Sequence, residues 1–204
     1  MDAVVLDLNG DNTINVRPLR VGDAENGHGP HFDWNGDGIS EPTAWVGVGD
    51  GLLAIDLADD GSVRPDGKVN QAKEIAFALW KTEAEITAEN RAPNGEGQSA
   101  SISDLEGLRR YFDTNHDDLL DPGDARWSGF RVWQDANQDG VADPAELRSM
   151  EEAGINLLSL LPTKNATEFS DGSSITSTSH ADMRDGSRML VGDVGLAYRS
   201  SSLR

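Results

Sequence analysis

The stretch DANQDGVADPAE, residues 135–146, carries the strongest structural signal in this chain. Oxygen-bearing side chains stand at positions 1, 3 and 5 of the stretch, glycine at position 6 and glutamate at position 12. An EF-hand calcium loop has this order, because alternate residues of a tight loop aim oxygen atoms at one ion and the last carboxylate binds with both oxygens. The alternative is a solvated acidic turn. The expected ligands are Asp135, Asn137, Asp139, the Val141 carbonyl group, Asp143 and Glu146.

The stretch DTNHDDLLDPGD, residues 113–124, repeats this pattern one short segment earlier. It departs from the pattern twice, because Asp118 stands where glycine is usual and Asp124 replaces the closing glutamate. Aspartate is one methylene shorter, so Asp124 would bind through one oxygen or a water molecule. The expected ligands are Asp113, Asn115, Asp117, the Leu119 carbonyl group, Asp121 and Asp124. The two stretches together predict a helix–loop–helix pair that binds calcium.

Two further D-x-N-x-D segments lie in the first third of the chain, with Pro18 and Ala44 at position 12. The second would bind calcium if Glu41 or a distant acid completes its ligand shell, and the alternative for both is an Asx-rich β-turn. The first offers Asp7, Asn9, Asp11 and the Thr13 carbonyl group, and the second offers Asp33, Asn35, Asp37, the Ile39 carbonyl group and Glu41.

A fifth, degenerate site is expected between residues 56 and 74. Ala58 removes one ligand that the pattern requires. The remaining donors are Asp56, Asp60, Asp66 and Glu74.

The net charge of the chain indicates which classes of binding partner are expected. The formal net charge is −19, with 36 acidic against 17 basic residues, so nucleic acid is not an expected partner. Bound cations would relieve the repulsion within such an acidic chain. Cysteine is absent and the four histidines show no zinc spacing, which disfavours zinc. No apolar run approaches the 18 or so residues of a membrane span, and the first residues do not resemble a signal peptide.

The hydrophobic pattern predicts an α+β fold, with short strands around the helix–loop–helix calcium pair. We expect one module over 1–204, with 1–60 and 103–160 as possible subdomains. Helices are predicted over 70–90, from Ser103 to the loop at 113, and over 144–154. A mobile loop is expected at 91–101. The predicted strands are 3–8, 43–48, 51–57 and 155–161, followed by a hairpin within 165–204 that turns at 184–186.

Four segments in this order resemble the self-processing module of the Neisseria iron-regulated RTX proteins, and similar calcium-binding modules of large bacterial surface proteins. They read VVLDLNGDNTIN, FDWNGDGISEPTAWVGVGDGLLAIDL, FRVWQDANQDGVADPAELRSMEEAGI and DGSRMLVGDVGLA. The resemblance covers most of the chain and is weakest over 60–103. It implies a secreted, type I-exported protein whose module folds when calcium binds.

The resemblance also implies autocatalytic cleavage at an Asp–Pro bond just before the first strand. The aspartate carboxyl attacks its own main-chain carbonyl carbon, giving a cyclic anhydride that water opens or a lysine amine of another protein captures. Intramolecular attack of this kind benefits from the fixed proximity of its reacting groups. The matching catalytic position here is Asp2, followed by Ala3 instead of proline, so cleavage is expected to be impaired.

Two functions therefore remain open. One is a self-processing module, which acts once on itself and does not turn over substrate. The other is a non-catalytic, calcium-rigidified structural or adhesion module of a surface protein. Either way we expect a monomer that binds several calcium ions in a secreted or cell-surface protein.

Overall fold

The computed structural model describes residues 1–20, 22, 28–62, 64–91 and 102–199, and for 88–91 it describes only the backbone. The expected mobile loop at 91–101 therefore lies almost wholly outside the described residues. Within the described part of the chain, 31% of residues are in strands and 14% in helices. The strands are β1 (Asp2–Leu6), β2 (Val16–Arg17), β3 (His31–Phe32), β4 (Glu41–Pro42), β5 (Trp45–Val46), β6 (Gly51–Ile55), β7 (Leu119–Leu120), β8 (Phe130–Trp133), β9 (Leu147–Ser149), β10 (Ile155–Ser159), β11 (Thr167–Glu168), β12 (Ser174–Met183) and β13 (Arg188–Gly195).

The described helices are short and few. They are α1 (Ala72–Ile75), α2 (Glu83–Arg91) and α3 (Asp104–Tyr111), with 3₁₀ turns at Phe77–Trp80 and Trp127–Gly129. The continuous helix predicted over 70–90 is thus broken into three pieces. The helix predicted after Ser103 is confirmed, and the Ser103 hydroxyl accepts a hydrogen bond from the Glu106 backbone N–H at 3.3 Å, as an N-cap should.

One curled antiparallel sheet organises the molecule. Its strand order is β7-β10-β12-β13-β1-β6-β8-β9, with β11 paired to β12. Two small ribbons, β2 with β5 and β3 with β4, lie outside it. The sheet combines the first strand with the C-terminal hairpin β12–β13, whose turn contains 184–186. The division of the chain into one module or subdomains stays a prediction.

The core lies on both faces of this sheet. Along β1, Val4 and Leu6 belong to one buried cluster, while Ala3 and Val5 belong to the other. This alternation follows from the two-residue period of a strand. One face is closed by an aromatic group that includes Phe77 from the 3₁₀ turn. The two aromatic groups are Phe77, Trp80, Phe112 and Phe130 on that face, and Phe32, Trp34, Trp45 and Trp133 on the opposite face.

The predicted α+β fold with an EF-hand pair is wrong. The stretch 135–146 connects two paired strands, because β8 precedes it and β9 follows it. Trp133 pairs with Leu147, and the Gln134 N–H donates to the Glu146 carbonyl at 3.0 Å. The helix predicted over 144–154 is likewise wrong. Within it, Leu147–Ser149 pairs with β8, and this pairing overrides the local helical propensity, while the residues on either side form turns.

The stretch 113–124 is also not flanked by two helices. Helix α3 leads into it, but β7 lies inside it and pairs with β10 at Leu120↔Leu158. A 3₁₀ turn and β8 follow. Both acidic stretches therefore connect elements of a β-rich fold. No helix in the described ranges combines the length and apolarity needed to cross a bilayer.

Candidate functional site

The four D-x-N-x-D loops share one backbone conformation. In each, the residues at positions 4 and 6 have positive φ angles, a region that costs most L-residues energy. The pairs are Gly10 and Asn12 (72° and 59°), Gly36 and Gly38 (74° and 84°), His116 and Asp118 (60° and 65°), and Gln138 and Gly140 (58° and 78°). Asp118 thus adopts the conformation for which glycine is usual. Its carboxylate is 2.5 Å from the Arg109 Nε atom.

The first aspartate of each loop accepts a hydrogen bond from the backbone N–H at position 6. These donor–acceptor pairs are Asn12–Asp7 at 2.7 Å, Gly38–Asp33 at 2.8 Å, Asp118–Asp113 at 3.0 Å and Gly140–Asp135 at 2.9 Å. The aspartate at position 5 accepts from the N–H at position 7, at 2.8–3.0 Å in all four loops. These local bonds hold both carboxylates against the backbone N–H groups of their own loop.

Glu146 and Asp124 close the two C-terminal loops. Glu146 accepts from the Ala136 N–H at 3.1 Å and the Asp143 N–H at 3.4 Å, which are positions 2 and 9 of its loop. In the preceding loop, Asp124 accepts from the same two positions, at 2.6 and 3.0 Å. The shorter aspartate therefore reaches the same place as glutamate. Burial raises the pKa of Asp135, and the Glu146 and Asp139 carboxylates raise it further.

Glu41 takes the closing position in the loop that begins at Asp33. Its carboxylate is fully buried and accepts from the Trp34 N–H at 3.2 Å and the Asn35 Nδ2 at 3.0 Å. Of the two closing groups considered from the sequence, Glu41 and a more distant acid, the structure places Glu41 at this loop.

The loop that begins at Asp7 receives a carboxylate that the sequence analysis missed. Asp50 accepts from the Asn15 N–H at 2.7 Å, and Asn15 is position 9 of this loop. Asp50 is 35 residues away in sequence, and only the pairing of β1 with β6 brings it here. The pKa of Asp50 is raised to about 6, mainly by burial and further by the nearby Asp7 and Asp11 carboxylates. The hydrogen bond from the Asn15 N–H lowers it in part.

The fifth predicted site is assembled only in part. Asp56 accepts from the Asp66 N–H at 2.8 Å, and Glu74 accepts from the Leu57 N–H at 3.0 Å. Asp60 is exposed; it accepts a hydrogen bond from the Ser62 N–H at 2.9 Å and lies 3.6 Å from the Arg64 guanidinium group. The Arg131 Nε atom lies 3.5 Å from Asp56, so a side-chain cation already compensates part of this charge.

No group of three or more histidine or acidic side chains in the described ranges converges closely enough to form a metal site. The loop carboxylates instead accept hydrogen bonds from backbone N–H groups. The oxygen-only donor set of carboxylates, amides and carbonyl groups suits a hard cation such as calcium better than zinc.

Asp2 and Ala3 lie at the start of β1, beside the last strand. Ala3 is fully buried and pairs with Val194. Because Met1 and Leu196 exchange two backbone hydrogen bonds, the alternation of an antiparallel ladder makes Ala3–Val194 the next hydrogen-bonded pair. Asp2 borders a cavity of about 450 Å³ that is also lined by Lys81.

Two buried carboxyl groups flank Asp2, and neither was singled out from the sequence. Asp104 accepts from the Ala78 N–H at 2.7 Å, and Asp193 accepts from the Leu105 N–H at 3.1 Å. The second oxygen of each is buried without a hydrogen-bond partner. Burial raises the pKa values of Asp2, Asp104 and Asp193, and for Asp104 and Asp193 the nearby carboxyl groups raise them further. These groups meet only in the folded chain, so no local motif marks them.

Comparison with known proteins places this architecture in a family. A sequence model of the SPM domain matches residues 4–197. The chain is 31% identical over 196 residues to the iron-regulated protein FrpA of Neisseria meningitidis serogroup C. That alignment covers 96% of this chain and 15% of the relative, so the chain corresponds to a small part of FrpA. The expected relation to Neisseria iron-regulated proteins is confirmed, and the chain belongs to the SPM domain family.

Proposed function

We propose that this chain is a calcium-ordered module of a secreted RTX-type protein, and that its calcium-bound fold promotes scission of the Asp2–Ala3 bond. One observation supports the proposed binding of calcium. Four loops hold the same backbone conformation, with the first carboxylate turned inward in each. Without cations, the clustered carboxylates repel one another, and cation binding would contribute its free energy to folding.

The calcium ligands that we propose are those expected from the sequence, supplemented by the structure. The loops at 113–124 and 135–146 would supply an oxygen donor at every position expected from the sequence. The loop that begins at Asp33 is completed by Glu41. The fifth group contributes Glu74 and Asp56 at most, because Arg131 lies beside Asp56.

The environment of Asp2 supports the proposal of scission. In the proposed step, a carboxylate oxygen of Asp2 attacks the main-chain carbonyl carbon of the same residue. The bond to the Ala3 nitrogen breaks, and that nitrogen takes up a proton. Asp104 and Asp193 are carboxyl groups whose raised pKa values favour the protonated form, so a proton source lies close to Asp2. Water then opens the anhydride, or a lysine amine of another protein forms an amide with it.

With alanine at position 3, we expect scission of the Asp2–Ala3 bond to be slow or absent. A secondary amide nitrogen leaves less easily than the tertiary nitrogen of proline, and the Ala3 N–H is held in the β1–β13 ladder. The family match begins at Val4, two residues after Asp2, so it does not cover the scissile bond. The alternative function is a structural or adhesion module that calcium makes rigid, and the burial of Ala3 in a regular ladder favours it.

Intact mass measurement separates the two functions. A folded carrier protein is fused before Met1, and the fusion is incubated with millimolar calcium or with a chelator. The proposal expects calcium-dependent release of the carrier from the Ala3→Pro variant, slower release with Ala3, and none from Asp2→Ala. An Ala3→Pro fusion that folds with calcium but stays whole would leave the structural module as the function.

A further inference from the structure

We propose that Asp50 supplies the closing carboxylate of a divalent-cation site whose other ligands come from the loop that begins at Asp7. The site is divided between two strands, with its loop after β1 and its closing acid just before β6. This inference rests on the proposed calcium-binding function and deepens it, because no position-12 acid exists within the loop itself.

The strand register places the two acids face to face. Leu6 of β1 pairs with Gly51 of β6, so Asp7 and Asp50 are the next residues at that end of the ladder. Both are buried, with relative exposures of 2% and 1%. Like charges directly opposite each other destabilise an antiparallel pair, and burial increases that cost. A bound cation would turn this repulsion into attraction.

Asp50 makes one of the two backbone hydrogen bonds that the closing acids of the two C-terminal loops make, the bond from position 9. In the two C-terminal loops, the N–H at position 9 donates to the closing carboxylate, as Asp121 does to Asp124 and Asp143 does to Glu146. Asn15 is position 9 of the first loop, and its N–H donates to Asp50 Oδ2 at 2.7 Å. Asp50 therefore holds the place of the missing acid, although it comes from a different part of the chain.

The other oxygen of Asp50 is available for a ligand. Asp50 Oδ1 is buried and has no hydrogen-bond partner. An unpartnered buried oxygen is costly in a folded protein unless a proton or a cation satisfies it.

The remaining donors define the class of cation. Asp7, Asn9, Asp11 and the Thr13 carbonyl group would contribute oxygen ligands, as the corresponding positions do in an EF-hand loop. Gly49 fits this arrangement, because a Cβ atom there would overlap the Asn9 side-chain amide. An all-oxygen set with three carboxylates suits calcium. The ion would fasten the end of β1 to the start of β6, and β1 begins at Asp2.

Native mass spectrometry with calcium, supported by isothermal titration, tests the site on the whole chain. Asp50→Asn keeps an acceptor for the Asn15 N–H and removes the charge. We expect it to bind one ion fewer than the wild type, or to bind that ion more than about tenfold more weakly. Asp11→Asn changes an exposed loop position and should lose the same ion. The variant that combines Asp50→Asn with Asp11→Asn should lose that one ion and no other. Glu168→Gln removes an exposed charge elsewhere and should bind like the wild type.

The outcomes separate this inference from the proposed function. An Asp50→Asn protein with the wild-type number of ions and wild-type affinities would overturn the inference, while calcium binding itself stood. A loss of the ion in Asp11→Asn but not in Asp50→Asn would also overturn it, because the loop would then bind without the closing acid. If the Asp50→Asn protein does not fold, the Asp11→Asn protein provides the test. An Asp11→Asn protein that still binds as many ions as the wild type would overturn the inference. A wild-type chain that binds no calcium would refute the proposed function instead.

Discussion

Asp193, on the last strand of the hairpin, accepts a hydrogen bond from the Leu105 N–H in the first turn of helix α3 at 3.1 Å. This bond joins two segments that are 88 residues apart. Asp104 lies next to Leu105 and is also fully buried. The contact therefore brings two buried carboxyl groups together beside Asp2.

These carboxyl groups should make stability depend on pH. Burial is the main reason that the pKa of Asp104 is raised, and the nearby Asp193 and Asp2 carboxyl groups raise it further. An acid with a raised pKa binds more protons in the folded state, so its stabilisation is complete below its unfolded pKa near 4 and is lost as the pH rises through the folded pKa. Asp104→Asn mimics the protonated form. We expect this variant to gain stability relative to wild type as the pH rises above about 4.

Urea unfolding at saturating calcium, across this pH range, measures that gain. Glu168→Gln is the control, because it removes an exposed charge without changing the buried groups. A difference between Asp104→Asn and wild type that stays constant with pH would contradict the assigned pKa direction.

Glu146→Gln should weaken the calcium loop at 135–146 by more than about tenfold, because a neutral amide cannot bind a cation with two charged oxygens. Trp133 Nε1 lies 3.3 Å from the Glu146 carboxylate, so tryptophan fluorescence should report the titration. Calorimetry with calcium provides the affinity. An unchanged titration curve in this variant would refute the loop assignment.

Gly140→Ala should destabilise the protein by about 2–4 kcal/mol, because alanine at a φ of 78° is strained and its Cβ atom would overlap the His31 carbonyl oxygen. Gly186→Ala is the matched control. It has a φ of 86° but nothing within 4 Å of the added Cβ atom, so only about 1–2 kcal/mol of strain is expected. Urea unfolding measures both changes. Equal losses in the two variants would show that the His31 contact is unimportant.

Ala3→Pro should destabilise the uncleaved module by about 1–3 kcal/mol. Proline has no N–H group, so the ladder bond to Val194 is lost and a buried carbonyl group loses its donor. Chemical unfolding of the unfused chain tests this, with Asp2→Ala present in both proteins to prevent scission. A variant as stable as its parent would mean that the Ala3 N–H makes no useful bond.

The conformation of the D-x-N-x-D loops could be predicted from the sequence because it depends on hydrogen bonds between residues that are close together in the chain. Asp135, Asn137 and Asp139 accept hydrogen bonds from backbone groups no more than five residues away. The spacing of these residues therefore predicts the turn without knowledge of the rest of the chain. The helix α3 with its Ser103 cap is local in the same sense.

The sequence by itself determined the loop conformations, the apolar segments of β1, β6 and β10, and membership of the family. Only the tertiary structure decided that Leu147–Ser149 is a strand, because pairing with β8 outweighs its local helical preference. It also decided that Asp50 meets Asp7, and that Asp104 and Asp193 meet Asp2. Those relationships depend on the strand register and on buried contacts between distant segments, and the free energy of such contacts exists only when the whole sheet has formed.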